Sequence, residues 1–130
     1  MKRTAMVLVG IALFVTALAW ADAEKGKTAA APKPQSITGE VVDMGCYLEH
    51  GARGEKHAGC ATKCISGGMP MGLLTSDGKL YLITLDHDNA DPYNQVKGWA
   101  AKQVTLTGTI AERSGVRAID VTGAQLAAAK

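Results

Sequence analysis

Aromatic residues and net charge are both scarce in this chain of 130 residues. Only 5% of the residues are aromatic, and the formal net charge at pH 7 is +2. Proteins that bind nucleic acids rely on basic surfaces and, for single strands, on aromatic side chains against which the bases stack. The composition therefore gives no reason to expect a nucleic-acid partner.

Several sequence motifs of catalysis are also missing. The chain contains no Gly-x-Ser-x-Gly, no phosphate-binding loop and no paired-carboxylate pattern, so an enzyme is not the expected class. The Cys-x-x-Cys-His attachment motif is absent as well, which argues against covalently bound haem as a cofactor.

The first 21 residues have the pattern of a secretory signal peptide. Lys2 and Arg3 precede the apolar run 4–18, and an Ala-x-Ala cleavage site ends at Ala21. The run is shorter than the roughly 20 residues that span a bilayer, so we expect no stable membrane insertion after cleavage. Lys2 and Arg3 account for the whole net charge, which leaves the mature chain formally neutral. The pattern predicts export, to the periplasm or the cell exterior.

The rest of the chain divides into a tether and one domain. Residues 22–36 are rich in Ala, Lys and Pro and have no large apolar side chain. They cannot bury enough surface to offset the entropy lost on ordering, so we expect a disordered tether. Residues 37–126 remain as one small domain. Domains of this size often gain stability from disulfides or metal ions, and export permits disulfides.

Short apolar runs separated by turn residues predict a β-rich domain. In "MGLLTSDGKLYLITL", Asp-Gly between two apolar runs indicates a hairpin, and "RSGV" separates the last two strands in the same way. Between the hairpins, Asp91 and Pro92 are typical of a helix start. The resulting order is strand, insertion, strand, strand, helix, strand, strand. It predicts an all-β fold with short helices, a five-stranded OB-like Greek-key barrel.

Three stretches support a resemblance to a known family: "GEVVD", "DGKLYL" and "VTLTGTIAERSGVRAIDV". Through them, the run from Ile37 to Val121 resembles the small exported OB-like proteins of bacteria. The resemblance implies the barrel fold and no particular activity, because one fold serves many functions. This chain departs from the family by a Cys/His helical insertion between strands 1 and 2, a loop that OB proteins often use for ligands.

The insertion contains "HAGCATKC", and its spacing points to a metal site. If residues 55–65 are helical, His57, Cys60 and Cys64 lie on one stripe of the helix. Cys46, near the end of the first strand, would complete a Cys3His set, which suits zinc, while soft thiolates also suit copper(I). We therefore expect zinc or copper bound in a structural or delivery role. The secondary candidate ligands are His50, Met69 and Met71.

Other interpretations of the same residues remain open. Three cysteines in an exported protein also fit one disulfide and one free thiol, with Cys46 paired to Cys60 or Cys64. Such a disulfide would stabilise the domain by roughly 3 kcal/mol in the chain-entropy model. The protein would then be a non-enzymatic ligand-binding or interaction module. A thiol-redox role is a third possibility, although no Cys-x-x-Cys occurs. Met69 and Met71 also fit as apolar fillers of one barrel end.

Overall fold

The computed structural model describes residues 33–128. The predicted signal peptide and most of the predicted tether lie outside the described residues and stay predictions. Within residues 33–128, no helix combines the length and the apolar character that a membrane crossing requires.

Five strands form a closed barrel. They are β1 (Gln35–Asp43), β2 (Met71–Leu74), β3 (Leu80–Leu85), β4 (Gln103–Arg113) and β5 (Val116–Leu126). Their order around the barrel is β1-β2-β3-β5-β4, and β4 closes the barrel by pairing with β1. The β3–β5 pair is parallel, and the other four pairs are antiparallel. The predicted five-stranded OB-like barrel is therefore confirmed.

Both predicted turns join neighbouring strands of the barrel. Between β2 and β3, the Thr75 N–H donates to the Lys79 carbonyl, and Gly78 has a φ of 80°. Between β4 and β5, Ser114 and Gly115 have φ values of 51° and 80°. Two successive residues with positive φ are what a tight type I′ hairpin turn requires, and glycine adopts that conformation without strain.

Apolar burial holds the barrel together. Seven strand residues of the core have no solvent exposure: Val41, Met71, Leu73, Val104, Leu106, Ile119 and Val121. Helix α3 (Asp91–Lys97) has Pro92 in its first turn and adds the fully buried Val96 to the core. Helices α1 and α2 precede it in the chain and are described below. Because each such side chain contributes about 1.5–3 kcal/mol when buried, this core is the main source of stability.

The Cys/His insertion connects β1 to β2, as predicted. It consists of α1 (Met44–His50), a 3₁₀ turn (Glu55–His57) and α2 (Ala58–Ser66). It is attached to the barrel at several points. Ala61 and Ile65 of α2 belong to the barrel core, and the Met44 N–H donates to the Pro70 carbonyl at 2.9 Å.

Two expectations about the insertion were wrong in detail. Cys46 lies within helix α1 rather than at the end of the first strand, because the side chain of Asp43 caps a helix that begins at Met44. The second helix begins at Ala58 rather than near residue 55. The His57 N–H donates to the carbonyl of Gly54, three residues earlier, and this bond closes a 3₁₀ turn before α2.

Candidate metal centre

The insertion brings together all four residues of the predicted Cys3His set. Cys46 lies on α1, His57 ends the 3₁₀ turn, and Cys60 and Cys64 lie one turn apart on α2. The ligand atoms of Cys46, His57 and Cys60, which we call the outer triplet, lie within 4.8 Å of one another. Those of Asp43, Cys46 and Cys64, the inner triplet, do so as well. Cys46 belongs to both triplets, and the whole cluster is close enough to hold a metal ion.

Helix α1 is short, and its two ends hold Cys46 in position. At the start, the Cys46 N–H donates to Asp43 Oδ1 at 2.9 Å. At the end, Gly51 takes the left-handed conformation, with φ 67° and ψ 21°, and its N–H donates to the Tyr47 carbonyl at 2.8 Å. No residue of α1 is buried, so these hydrogen bonds at its two ends are important for the position of Cys46.

Apolar packing holds one side of helix α2 against the barrel, and the adjacent side of the helix has the two cysteines. Ala61 and Ile65 are spaced by four residues and pack into the barrel core. Cys60 and Cys64 each precede one of these residues and have the same spacing, so they share an adjacent stripe of the helix. Cys60 is exposed and Cys64 is half-buried. The packing of α2 therefore fixes both sulfurs near α1 and leaves one of them open to solvent.

Asp43 was not predicted from the sequence, and it joins the two halves of the site. Its side chain is fully buried. While Oδ1 accepts the Cys46 N–H, Oδ2 lies 3.1 Å from His57 Nε2. One signal could have revealed it. An aspartate three residues before Cys46 fits a helix N-cap, whose side chain bonds the third helical N–H.

The buried carboxylate of Asp43 is held in its charged form. Burial alone would raise its pKa, but the hydrogen bonds from the Cys46 N–H and from His57 outweigh burial, and the net pKa lies below its ordinary value. An ionised carboxylate can only accept hydrogen bonds, so His57 donates through Nε2. In the neutral imidazole the free lone pair is then on Nδ1. A carboxylate behind the imidazole in this way is common where histidine binds zinc.

The thiols of the inner triplet are held in their protonated form. Burial, the hydrogen bond and charge of Asp43, and the neighbouring Cys60 raise the pKa of Cys46 to about 12. Burial and the neighbouring Cys60 also raise the pKa of Cys64. These thiols are therefore poor nucleophiles at neutral pH, which does not favour a thiol-redox role. These thiols would, however, become anions on losing their protons, and they lie close together. A bound cation stabilises such anions and therefore displaces the protons.

The three secondary candidate ligands differ in where they lie. His50 ends α1 with an exposed side chain 3.4 Å from Glu49, and it belongs to neither triplet. Met71 is fully buried in the barrel core, as its interpretation as an apolar filler requires. Met69 is partly exposed and covers Gly45 of α1, where an added Cβ would lie 2.8 Å from the Met69 Cε.

The disulfide interpretation is not shown by this arrangement. All three cysteines lie within residues 33–128, and each is a free thiol. A disulfide between Cys46 and either cysteine of α2 stays a prediction, which the mass of the protein tests directly.

Comparison of the chain with protein-family models, with curated proteins and with solved structures finds no match.

Proposed function

We propose that this protein is exported and binds a soft transition metal ion, zinc or copper(I), through Cys46, His57, Cys60 and Cys64. One observation carries the proposal. Donor atoms from the end of β1 and from three elements of the insertion converge in two triplets that share Cys46, and the atoms of each triplet lie within 4.8 Å of one another. Three sulfurs and one imidazole form a known tetrahedral zinc set, and thiolates also suit copper(I).

A delivery or storage role fits this site better than a structural role. Structural zinc sites are closed, and they often hold together small domains that would not fold without the metal. Here the barrel has its own apolar core, and Cys60 is exposed. The ion would therefore have access to solvent and could be exchanged. The expected export rests on the sequence pattern of residues 1–21.

The experiment is mass spectrometry of the mature protein, loaded with zinc or copper(I) under reducing, oxygen-free conditions. We expect the native spectrum to show one bound metal mass, lost on denaturation. A thiol-blocking reagent should modify all three cysteines only after denaturation. His57→Ala should lower metal retention, whereas the matched control His50→Ala should not, because His50 lies outside both triplets.

Two outcomes would contradict the proposal. A native protein with no metal and three reactive thiols would remove the metal site. A mass lower by two hydrogens, with only one blockable thiol, would instead support the disulfide interpretation.

One further observation favours a ligand-binding module as the second candidate. A small polar pocket of about 140 Å³ lies between Glu40, Arg53, Ser76 and Gln103. If it binds a ligand, Arg53→Ala should weaken ligand binding and leave metal retention unchanged, since Arg53 belongs to neither triplet.

A further inference from the structure

The two triplets differ in their exposure to solvent. In the outer triplet, Cys60 is exposed and the side chain of His57 is 20% exposed. In the inner triplet, Cys64 is half-buried and the side chain of Asp43 is 0% exposed. Cys46, the residue common to both, is itself half-buried. The solvent exposure of the donor side chains therefore decreases from Cys60 at the surface to Asp43 at the end of β1. The half-buried Cys46 belongs to both triplets.

We propose that the site is graded: an ion enters through the outer triplet, Cys46, His57 and Cys60, and is then retained by the inner triplet, Asp43, Cys46 and Cys64. This inference rests on the proposed function and deepens it. In a single Cys3His site all donors would have the same role, whereas here some donors act in uptake and others in retention. Cys46 binds the ion in both positions, so the ion moves without being released.

The transfer is a ligand exchange with no change in oxidation state. On entry, Cys46 and Cys60 each lose a proton to water as their sulfurs bind the ion. His57 binds through a nitrogen lone pair and releases no proton. On transfer, the bonds from the ion to the Cys60 sulfur and the His57 nitrogen break, and bonds to the Cys64 sulfur and an Asp43 oxygen form. Cys64 loses a proton and the Cys60 sulfur regains one, so the transfer releases no net proton. Asp43 contributes an oxygen that is already ionised, so it releases no proton.

The composition of the inner triplet also selects the metal. Two thiolates and a carboxylate oxygen suit zinc, which accepts sulfur, nitrogen and oxygen ligands. Copper(I) prefers soft donors such as thiolate and thioether, and a carboxylate is a poor ligand for it. A carboxylate oxygen has two lone pairs, so Asp43 can keep its bonds to Cys46 and His57 while it binds an ion. We therefore assign zinc as the ion that the graded site retains.

The experiment compares two matched variants of the mature protein, Cys60→Ser and Cys64→Ser, which make the same chemical change one turn apart on α2. Zinc alone is the probe for the rates, and copper(I) alone is titrated into the wild type under reducing, oxygen-free conditions for comparison. Stopped-flow mixing with zinc measures uptake, and transfer of zinc to an excess of a coloured chelator measures release. Wild-type protein and His50→Ala serve as controls. Circular dichroism checks that each variant is folded, and Cys64→Ala is a second variant in case the half-buried serine disturbs packing.

We expect the two variants to differ in kind. Cys60→Ser should slow uptake by about tenfold or more. Because release retraces the entry path, this variant should slow release by a similar factor and leave zinc affinity nearly unchanged, since the inner triplet is intact. Cys64→Ser should leave uptake nearly unchanged and accelerate release by about tenfold or more. Loss of a residue that only supports a metal ligand typically lowers affinity by about 10–100-fold, so the loss of the Cys64 sulfur, which would bind the retained ion directly, should be at least as large.

The outcomes separate this inference from the proposed function. If both variants change uptake and release by the same factors, the four donors act as one site, so the graded mechanism is wrong and the proposed metal binding stands. If zinc is taken up more weakly than copper(I), the assignment of zinc is wrong. If the wild type binds neither ion, the proposed function fails and the graded site with it.

Discussion

The barrel and its insertion are held in place by different forces. The seven strand residues of the core are fully buried, and β4 and β5, each eleven residues long, pair along ten residues. In the insertion, α1 has no buried residue, and α2 has only Ala61 and Ile65. The rest of the insertion depends on a few polar contacts. They include the two made by Asp43, the bond from the Gly54 N–H to Glu40 Oε1 and the bond from Lys102 to Glu55.

The barrel therefore provides most of the stability, and the insertion provides most of the candidate metal ligands. Apolar burial acts over many residues and fixes the barrel without reference to any ligand. The sulfurs, by contrast, lie on helices whose positions depend on a few hydrogen bonds, each worth about 0.5–1.5 kcal/mol. A bound ion would therefore change the insertion more than the barrel. The following predictions test this comparison, beginning with the largest expected effect.

Removing apolar volume should affect the barrel far more than the insertion. Leu106→Ala removes a fully buried side chain from β4 and should lower the free energy of unfolding by about 2–5 kcal/mol. The matched variant Leu48→Ala removes the same atoms from α1, where the side chain is 67% exposed, and should change it by less than about 0.5 kcal/mol. Urea denaturation followed by circular dichroism measures both. Equal losses would show that the insertion is packed as tightly as the barrel.

Zinc should stabilise the protein and act mainly on the insertion. At a free zinc concentration one hundred times the dissociation constant, the free energy of unfolding should rise by about 2.7 kcal/mol. In hydrogen exchange, the amides of α1 and α2 should gain protection from local opening, whereas those of β4 and β5 should change only through global stability. A chelator should reverse both effects. Protection that increases uniformly over both regions would contradict this prediction.

Asp43→Asn should weaken metal binding while preserving the fold. Asparagine is also a good N-cap, so the bond from the Cys46 N–H should survive. The charged oxygen that faces His57 is lost, and zinc affinity should fall by about 10–100-fold in competition titrations with a chelator. The matched control Asp88→Asn, at an exposed position in the loop before α3, should leave the affinity unchanged. An equal effect of the two variants would remove Asp43 from the site.

The smallest effect concerns an exposed ion pair of the barrel. Hydrogen bonds from Lys79 and Thr75 lower the pKa of Asp77 from 3.8 to about 2. Because the folded-state pKa is the lower one, charged Asp77 stabilises the protein at neutral pH, and this contribution is lost as the pH falls from about 4 towards 2. The Asp77→Ala variant should therefore have a slightly lower melting temperature than the wild type at pH 7. The two melting temperatures should converge near pH 2, and a gap that persists there would contradict this assignment.

The sequence was sufficient for the barrel because its signals are local. Asp77–Gly78 and Ser114–Gly115 lie at turns, and Pro92 lies in the first turn of α3, as predicted. Helical spacing predicted that His57, Cys60 and Cys64 lie together, Cys46 was added as the fourth ligand, and all four residues do come together. Apart from the addition of Cys46, these inferences needed only neighbouring residues.

The sequence was insufficient where distant contacts decide the structure. Asp43 is an acidic residue at the end of β1, and acidic side chains are mostly exposed in folded proteins. It is buried because α1 and the 3₁₀ turn fold over it and supply two hydrogen-bond donors. Cys46 was placed near the end of the strand because the N-cap role of Asp43, which ends β1 and begins α1, was not recognised.

The position of β1 between β2 and β4 has a consequence for the order of folding. All donors of both triplets lie between Asp43 and Cys64, whereas closure of the barrel pairs Gln35 with Gly108. The entropy lost in closing a loop grows with its length, and pairings between distant residues form slowly. Assembling the donors therefore costs less entropy than closing the barrel. We therefore expect an ion that is present during folding to bind these donors before β1 and β4 pair.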